Sequence, residues 1–225
     1  MIEPLPFLRL PRTHRGIITG QTGTGKSTLA RLIVQQHREA LNSVIIDPKL
    51  QFDPVGMRAK RTGYRIVTDP AKLSGITKQN ILYRPGGEYN NPEDYDRVFR
   101  WIYDRKNTFV YIDELSALIG RSFQSYPPWL RQLYQQGRGL GITILAATQR
   151  PSGFPRFVFS ESDQFWKFFL LLEDDQKTMA EYMGRTVLEP RDYPNHTAHH
   201  DKHSFFYRDL TMQAPAAEHL LEFRK

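Results

Sequence analysis

Short apolar runs rich in β-branched and aromatic residues alternate along this chain with stretches whose apolar positions recur at helical spacing. The runs predict strands at Gly16 to Thr19, Ser43 to Ile46, Arg65 to Thr68, Ile81 to Arg84, Thr108 to Ile112, Ile142 to Ala147, Phe165 to Leu172 and Ser204 to Arg208. The intervening pattern predicts helices over Lys26 to Ala40, Glu93 to Arg105, Pro128 to Gln136, Asp175 to Met183 and Ala216 to Phe223. Asn91 is placed to cap the second helix, and Pro92 sits in its first turn, where a missing N–H costs nothing. Strands alternating with helices in this way build an α/β fold around a mostly parallel central sheet flanked by helices.

Composition bounds the reading. At 225 residues, 40% hydrophobic and 24% charged, the chain is long enough to bury a core and is read as one domain. Residues from about 50 to 87 are polar and basic with short strands, so they read as a small excursion, and residues from about 190 to 225 as a hairpin or helix extension. The formal net charge of +7 suits a polyanionic partner without demanding one. Without cysteine there is no disulfide, thiolate metal site or cysteine nucleophile. The first fifteen residues have neither the form of a signal peptide nor that of an anchor, and the run Phe165 to Leu172 is too short to span a bilayer. A soluble protein with no transmembrane segment is expected.

The chemistry is concentrated at three strand ends. Gly20-Gln21-Thr22-Gly23-Thr24-Gly25-Lys26-Ser27 fits G-x-x-x-x-G-K-[ST] and lies between a strand and a helix. Its glycines let successive N–H groups turn toward one anion, and the helix N-terminus adds partial positive charge. Gly20 through Ser27, with Thr28, are the expected nucleotide-binding residues; Lys26 reaches the β and γ phosphates of ATP and the Ser27 hydroxyl takes a position on Mg²⁺. Phe109 to Ile112 delivers the pair Asp113-Glu114 to the same rim, Asp113 for the metal and Glu114 to polarise the attacking water. The strand ending in Gln149 brings a neutral amide able to sense the γ phosphate, although a plain turn into Pro151 also accounts for it.

These motifs, with Ser43 to Lys49 ending in Asp47-Pro48-Lys49, the Gly137-Arg138 step and Ala147 to Pro151, occur in the order seen in the FtsK/HerA superfamily of DNA-pumping ATPases. The chain resembles in particular the small members that package genomes in tailless, membrane-containing icosahedral viruses. The resemblance spans about Gly16 to Leu172. It implies a RecA-like P-loop core, ATP with Mg²⁺, a homo-oligomer in the form of a six-membered ring, double-stranded DNA as cargo, capsid or portal-vertex proteins as partners, and work at the packaging vertex in the host cytoplasm. It also implies an arginine that reaches the neighbouring subunit's γ phosphate. Arg138 is the choice, with Arg131, Arg150 and Lys177 as competitors. Membrane helices and a DNA-reading winged helix, known from the bacterial chromosome pumps, are not found in this sequence. That departure points to packaging rather than conjugation or chromosome segregation.

Other features stay open between two readings. Arg58, Lys60, Arg61 and Arg65, with Tyr64 among them, either grip DNA phosphates or form a solvated face. Phe123, Tyr126, Trp129 and Tyr134 either line a ring or serve subunit packing or the core. Four of the seven histidines fall between His196 and His203, as a metal site or simply a loop. Two rival functions remain beside the pump. A small-molecule phosphotransferase would use the same phosphate loop, but Glu114 beside Asp113 opposes it, because a kinase must exclude water. A non-catalytic, nucleotide-gated adaptor is the other.

Overall fold

The computed structural model describes residues 6–37, 42–54, 63–77, 79–118, 126–188 and 202–222. Nine strands form one sheet in the order β3-β4-β2-β5-β6-β1-β7-β8-β9. They are β1 (Arg15–Thr19), β2 (Asn42–Ile46), β3 (Tyr64–Val67), β4 (Asn80–Tyr83), β5 (Thr108–Ile112), β6 (Thr143–Thr148), β7 (Gln164–Lys167), β8 (Lys202–Asp209) and β9 (Ala217–Glu222). The first seven are parallel; β8 and β9 are antiparallel additions.

The central strands are buried on both faces, as parallel strands joined by crossover helices must be. Alternation along each strand sorts the core into two layers. Ile18, Ile45, Phe109, Tyr111, Leu145 and Ala147 pack with α1 (Lys26–His37). Ile17, Val44, Ile46, Val110, Ile112 and Ile144 pack on the other side with α2 (Pro92–Arg105), α3 (Pro128–Gln136) and α5 (Glu173–Met183). A short helix, α4 (Arg156–Ser160), adds Val158 and Phe159 to that second layer. The α2 start is as read from sequence: the Asn91 side chain accepts the Asp94 N–H at 3.0 Å and Pro92 opens the helix.

Three expectations are corrected. The described part of the segment expected to be a helix, 216–222, is not one: β9 pairs with β8 from Lys202↔Glu222 to Tyr207↔Ala217. An eight-residue helix is marginal alone, whereas the exposed edge of β8 offers a complete ladder. The strand predicted from Phe165 to Leu172 stops at Lys167. Its neighbour β1 bends away after Thr19 into the phosphate loop, so the last ladder bond is Phe168 N–H to Thr19 C=O, and Leu171 is left 67% exposed. Within the stretch read as an excursion on the core, the described strands β3 and β4 belong to the main sheet and form one edge of it.

Candidate functional site

In a parallel sheet the C-terminal strand ends share one rim, and here the ends of β1, β2, β5 and β6 bring their polar residues together. A cleft of about 260 Å³ is lined there by Thr22, Gly23, Gly25, Lys26, Ser27, Thr28, Lys49, Gln51, Asp113, Glu114 and Gln149. Nine of these eleven were expected from sequence.

The loop after β1 is shaped by its glycines. Gly20 has φ +153°, and a Cβ there would lie 2.5 Å from the Phe168 Cβ, so no larger residue fits between the loop and the segment that follows β7. Gln21 N–H donates to the Phe169 carbonyl at 2.9 Å, tying the loop to the same segment. Thr24 Oγ1 and Lys26 Nζ both donate to the Gln21 carbonyl, at 2.8 and 2.7 Å. Thr28 and Leu29 N–H groups donate to Gly25, which begins α1 at the loop's end. Thr22 Oγ1 donates to Gln149 Oε1 at 3.1 Å, joining the phosphate loop to the end of β6.

The acidic side is built from β5 and β2. The buried Tyr111 hydroxyl donates to Asp113 Oδ1 at 2.8 Å, two residues along one strand face. Burial pushes the Asp113 carboxyl up to about 6; Asp47 and Glu114 nearby push it further, while the Tyr111 bond and Lys49 oppose. Burial pulls the Lys26 ammonium down to about 8, partly countered by Glu114 and Asp113. Glu114 is itself buried. Its Oε1 accepts Ser116 Oγ at 2.8 Å and Ser116 N–H at 3.3 Å, and its Oε2 meets Lys49 Nζ at 3.0 Å. Asp47, fully buried, accepts the Gln51 and Phe52 N–H groups and the Arg84 Nε, which fixes the turn carrying Lys49.

The arrangement suits a nucleotide with a divalent ion. A tight glycine loop opens a helix, a lysine is aimed into that loop, and a hydroxyl and a desolvated carboxylate line the same cleft. Ser27 and Asp113 are the residues that would hold Mg²⁺.

Arg138 lies elsewhere. It precedes β6, and its Nη2 pairs at 2.6 Å with Asp163, which also accepts the N–H of Arg15 at the start of β1. A five-residue strand separates that end of the sheet from the cleft by roughly 15 Å. Arg138 therefore cannot touch its own chain's nucleotide site. Among the competitors, Arg150 pairs with Asp175, Arg131 lies over the Phe157 ring, and Lys177 pairs with Glu173. Of the aromatic group, Tyr134 is fully buried in the core, while Tyr126 and Trp129 are half-buried and pack on Phe157 and Tyr103. Arg65 is exposed on edge strand β3 and Tyr64 is buried there. Arg58, Lys60, Arg61, Phe123, His196, His199 and His200 lie outside the described residues. His203 is within β8. No group of three or more His, Cys, Asp or Glu side chains that could hold a metal ion occurs among the described residues, and no helix among them is long and apolar enough to cross a membrane.

Sequence reasoning missed the parts played by Lys49 and Tyr111. The signal for Lys49 was present: Asp47-Pro48-Lys49 ends a buried strand in polar residues just as Asp113-Glu114 does.

No protein-family model matches the chain. It is 29% identical over 150 residues to a DNA translocase FtsK of Campylobacter jejuni, a match covering 60% of this chain and 16% of that protein. The chain thus spans less than a fifth of that relative's length. In fold it is similar to the genome packaging NTPase B204 of Sulfolobus turreted icosahedral virus 2 in complex with ATP-gammaS, with a TM-score of 0.68 at 15% identity over 92% of this chain and 97% of that one. It is similar also to B204, the DNA-packaging ATPase of Sulfolobus turreted icosahedral virus, with a TM-score of 0.64 at 19% identity over 93% and 98% of the two chains. In sequence the chain is similar to FtsK DNA translocases over part of its length, and its fold is that of these packaging NTPases.

Proposed function

We propose that this chain is an ATPase that uses hydrolysis to drive double-stranded DNA, and that its task is to package a viral genome. The observation that carries the reading is the convergence of phosphate loop, Asp113-Glu114 and Gln149 on one cleft. The sequence kinship with FtsK translocases and the fold likeness to packaging NTPases support DNA as the cargo, as does the net charge of +7.

In this reading the loop N–H groups and Lys26 bind the β and γ phosphates of ATP. Ser27 and Asp113 would hold Mg²⁺, and a bound ion there would neutralise charge at the phosphate oxygens. Tyr111 orients the Asp113 carboxylate. Glu114 takes a proton from the water whose oxygen attacks the γ phosphorus, while the bond to the ADP oxygen breaks. Gln149, tied to Thr22, couples the state of the phosphate loop to β6. Arg138, remote from its own cleft, serves the neighbouring subunit's site in a ring of six. That ring docks on capsid or portal-vertex proteins, at the packaging vertex in the host cytoplasm.

ATP turnover with and without duplex DNA tests the reading. The unaltered chain hydrolyses ATP faster with DNA. Glu114→Gln binds ATP but turns it over roughly 10² to 10⁴ times more slowly, and Lys26→Ala loses both binding and turnover. Normal turnover by Glu114→Gln would remove it as the base.

A further inference from the structure

Of the cleft-lining residues, Lys49 has no part in the scheme above, yet it touches the group that has the most demanding one. A general base must offer a free lone pair to the attacking water. Glu114 is hindered in this: it is 2% exposed, and three protein donors occupy three of the roughly four lone-pair sites of its carboxylate, with the Lys49 ammonium on Oε2 lowering its basicity. The Ser116 donors come from two residues along the same chain and move with it. The Lys49 ammonium comes from a different strand, and its side chain is 40% exposed.

The turn that carries Lys49 is rigid. Asp47 fixes it through two N–H groups and Arg84, and Arg84 Nη2 donates in turn to the Phe52 carbonyl at 2.7 Å. Only the four-carbon stem is free to swing, so the ammonium is a mobile charge on a fixed post. That post stands on the wall of the cleft that holds Lys26 and Ser27. A γ phosphate there is a stronger attractor for a swinging ammonium than one carboxylate already satisfied by Ser116.

From the 3.0 Å contact and the burial of Glu114, we infer that Lys49 is a positioning residue that restrains the water-activating carboxylate in the resting site and surrenders it when a γ phosphate enters the cleft. This rests on the assignment of Glu114 as the base in the proposed ATPase. The restraint keeps the base masked when no γ phosphate is present and slows turnover at every cycle, because the ammonium must leave before a water can be activated.

The test is DNA-free ATP turnover by the full chain carrying Lys49→Met, Lys49→Gln or Lys49→Arg, beside the unaltered protein and Glu114→Gln. ADP binding by each variant establishes that it is folded. Lys49→Met keeps the stem and removes the charge, so kcat rises roughly tenfold, the scale of one partly exposed charge-assisted contact. Lys49→Gln, which keeps a neutral donor, falls between. Lys49→Arg retains the restraint and stays near the parent rate. A Lys49→Met protein that is unchanged or slower, with Glu114→Gln inactive, overturns the restraint alone. A parent rate indifferent to Glu114→Gln removes the base itself, and the restraint falls with it.

Discussion

At the residue scale, Lys26 carries a prediction that needs only binding. Burial brings its ammonium down to about 8, so the free site loses that charge within an accessible range. The sign follows from linkage: the ammonium binds phosphate and the neutral amine does not, so affinity is full below about pH 8 and falls about tenfold per unit above it. Calorimetric titration of ADP without divalent metal, from about pH 7.5 to about 9.5, should show this fall in the parent and a weak, flat profile in Lys26→Ala. A parent profile as flat as the variant's would remove Lys26 from the phosphates. The loop and the pair Asp113-Glu114 were legible because their spacing within one local segment dictates where they point. The Lys49–Glu114 and Arg138–Asp163 pairs were not, because each joins side chains from separate segments that only the strand order brings together.

At the scale of elements, α1 is fastened to the sheet at its last residue. His37 is buried, stacks on Phe109 of β5 at 4.4 Å, and burial draws its imidazole down to about 4. Its folded value lies below the unfolded one, about 6.5, so its share of stability is complete above pH 6.5 and is lost as pH falls toward about 4. The loss is on the order of 3 kcal/mol. Denaturant midpoints at about pH 7 and about pH 4.5 should therefore differ more in the parent than in His37→Phe, which keeps an aromatic ring against Phe109 and cannot be protonated. Equal pH sensitivity in both would show that other groups carry the acid response. The central strands β1, β2, β5 and β6 were legible because each carries an unbroken run of apolar residues, mostly β-branched or aromatic. The end of β7 and the identity of β9 were not, since each is decided by whether a neighbouring strand is there to receive hydrogen bonds. Intrinsic preference loses to an open ladder.

At the scale of the whole molecule, the proposed role of Arg138 works only in an oligomer. A guanidinium roughly 15 Å from its own cleft can stabilise phosphoryl charge only in another chain's site. Arg138→Ala should bind ATP almost normally and hydrolyse little. Mixed with Lys26→Ala, whose own site is dead and whose Arg138 is intact, it should regain turnover, because a finger of this kind is worth about 10³ to 10⁵ in rate. Absence of recovery in confirmed mixed assemblies would leave Arg138 as the partner of Asp163 alone.

Movement along DNA is the central claim, and strand displacement reads it directly. A third strand annealed to one end of a long duplex should be released when the protein and ATP are added. It should stay bound with ATPγS, and with Glu114→Gln in place of the parent. A protein that hydrolyses ATP in a DNA-stimulated manner yet leaves the third strand in place would contradict the account.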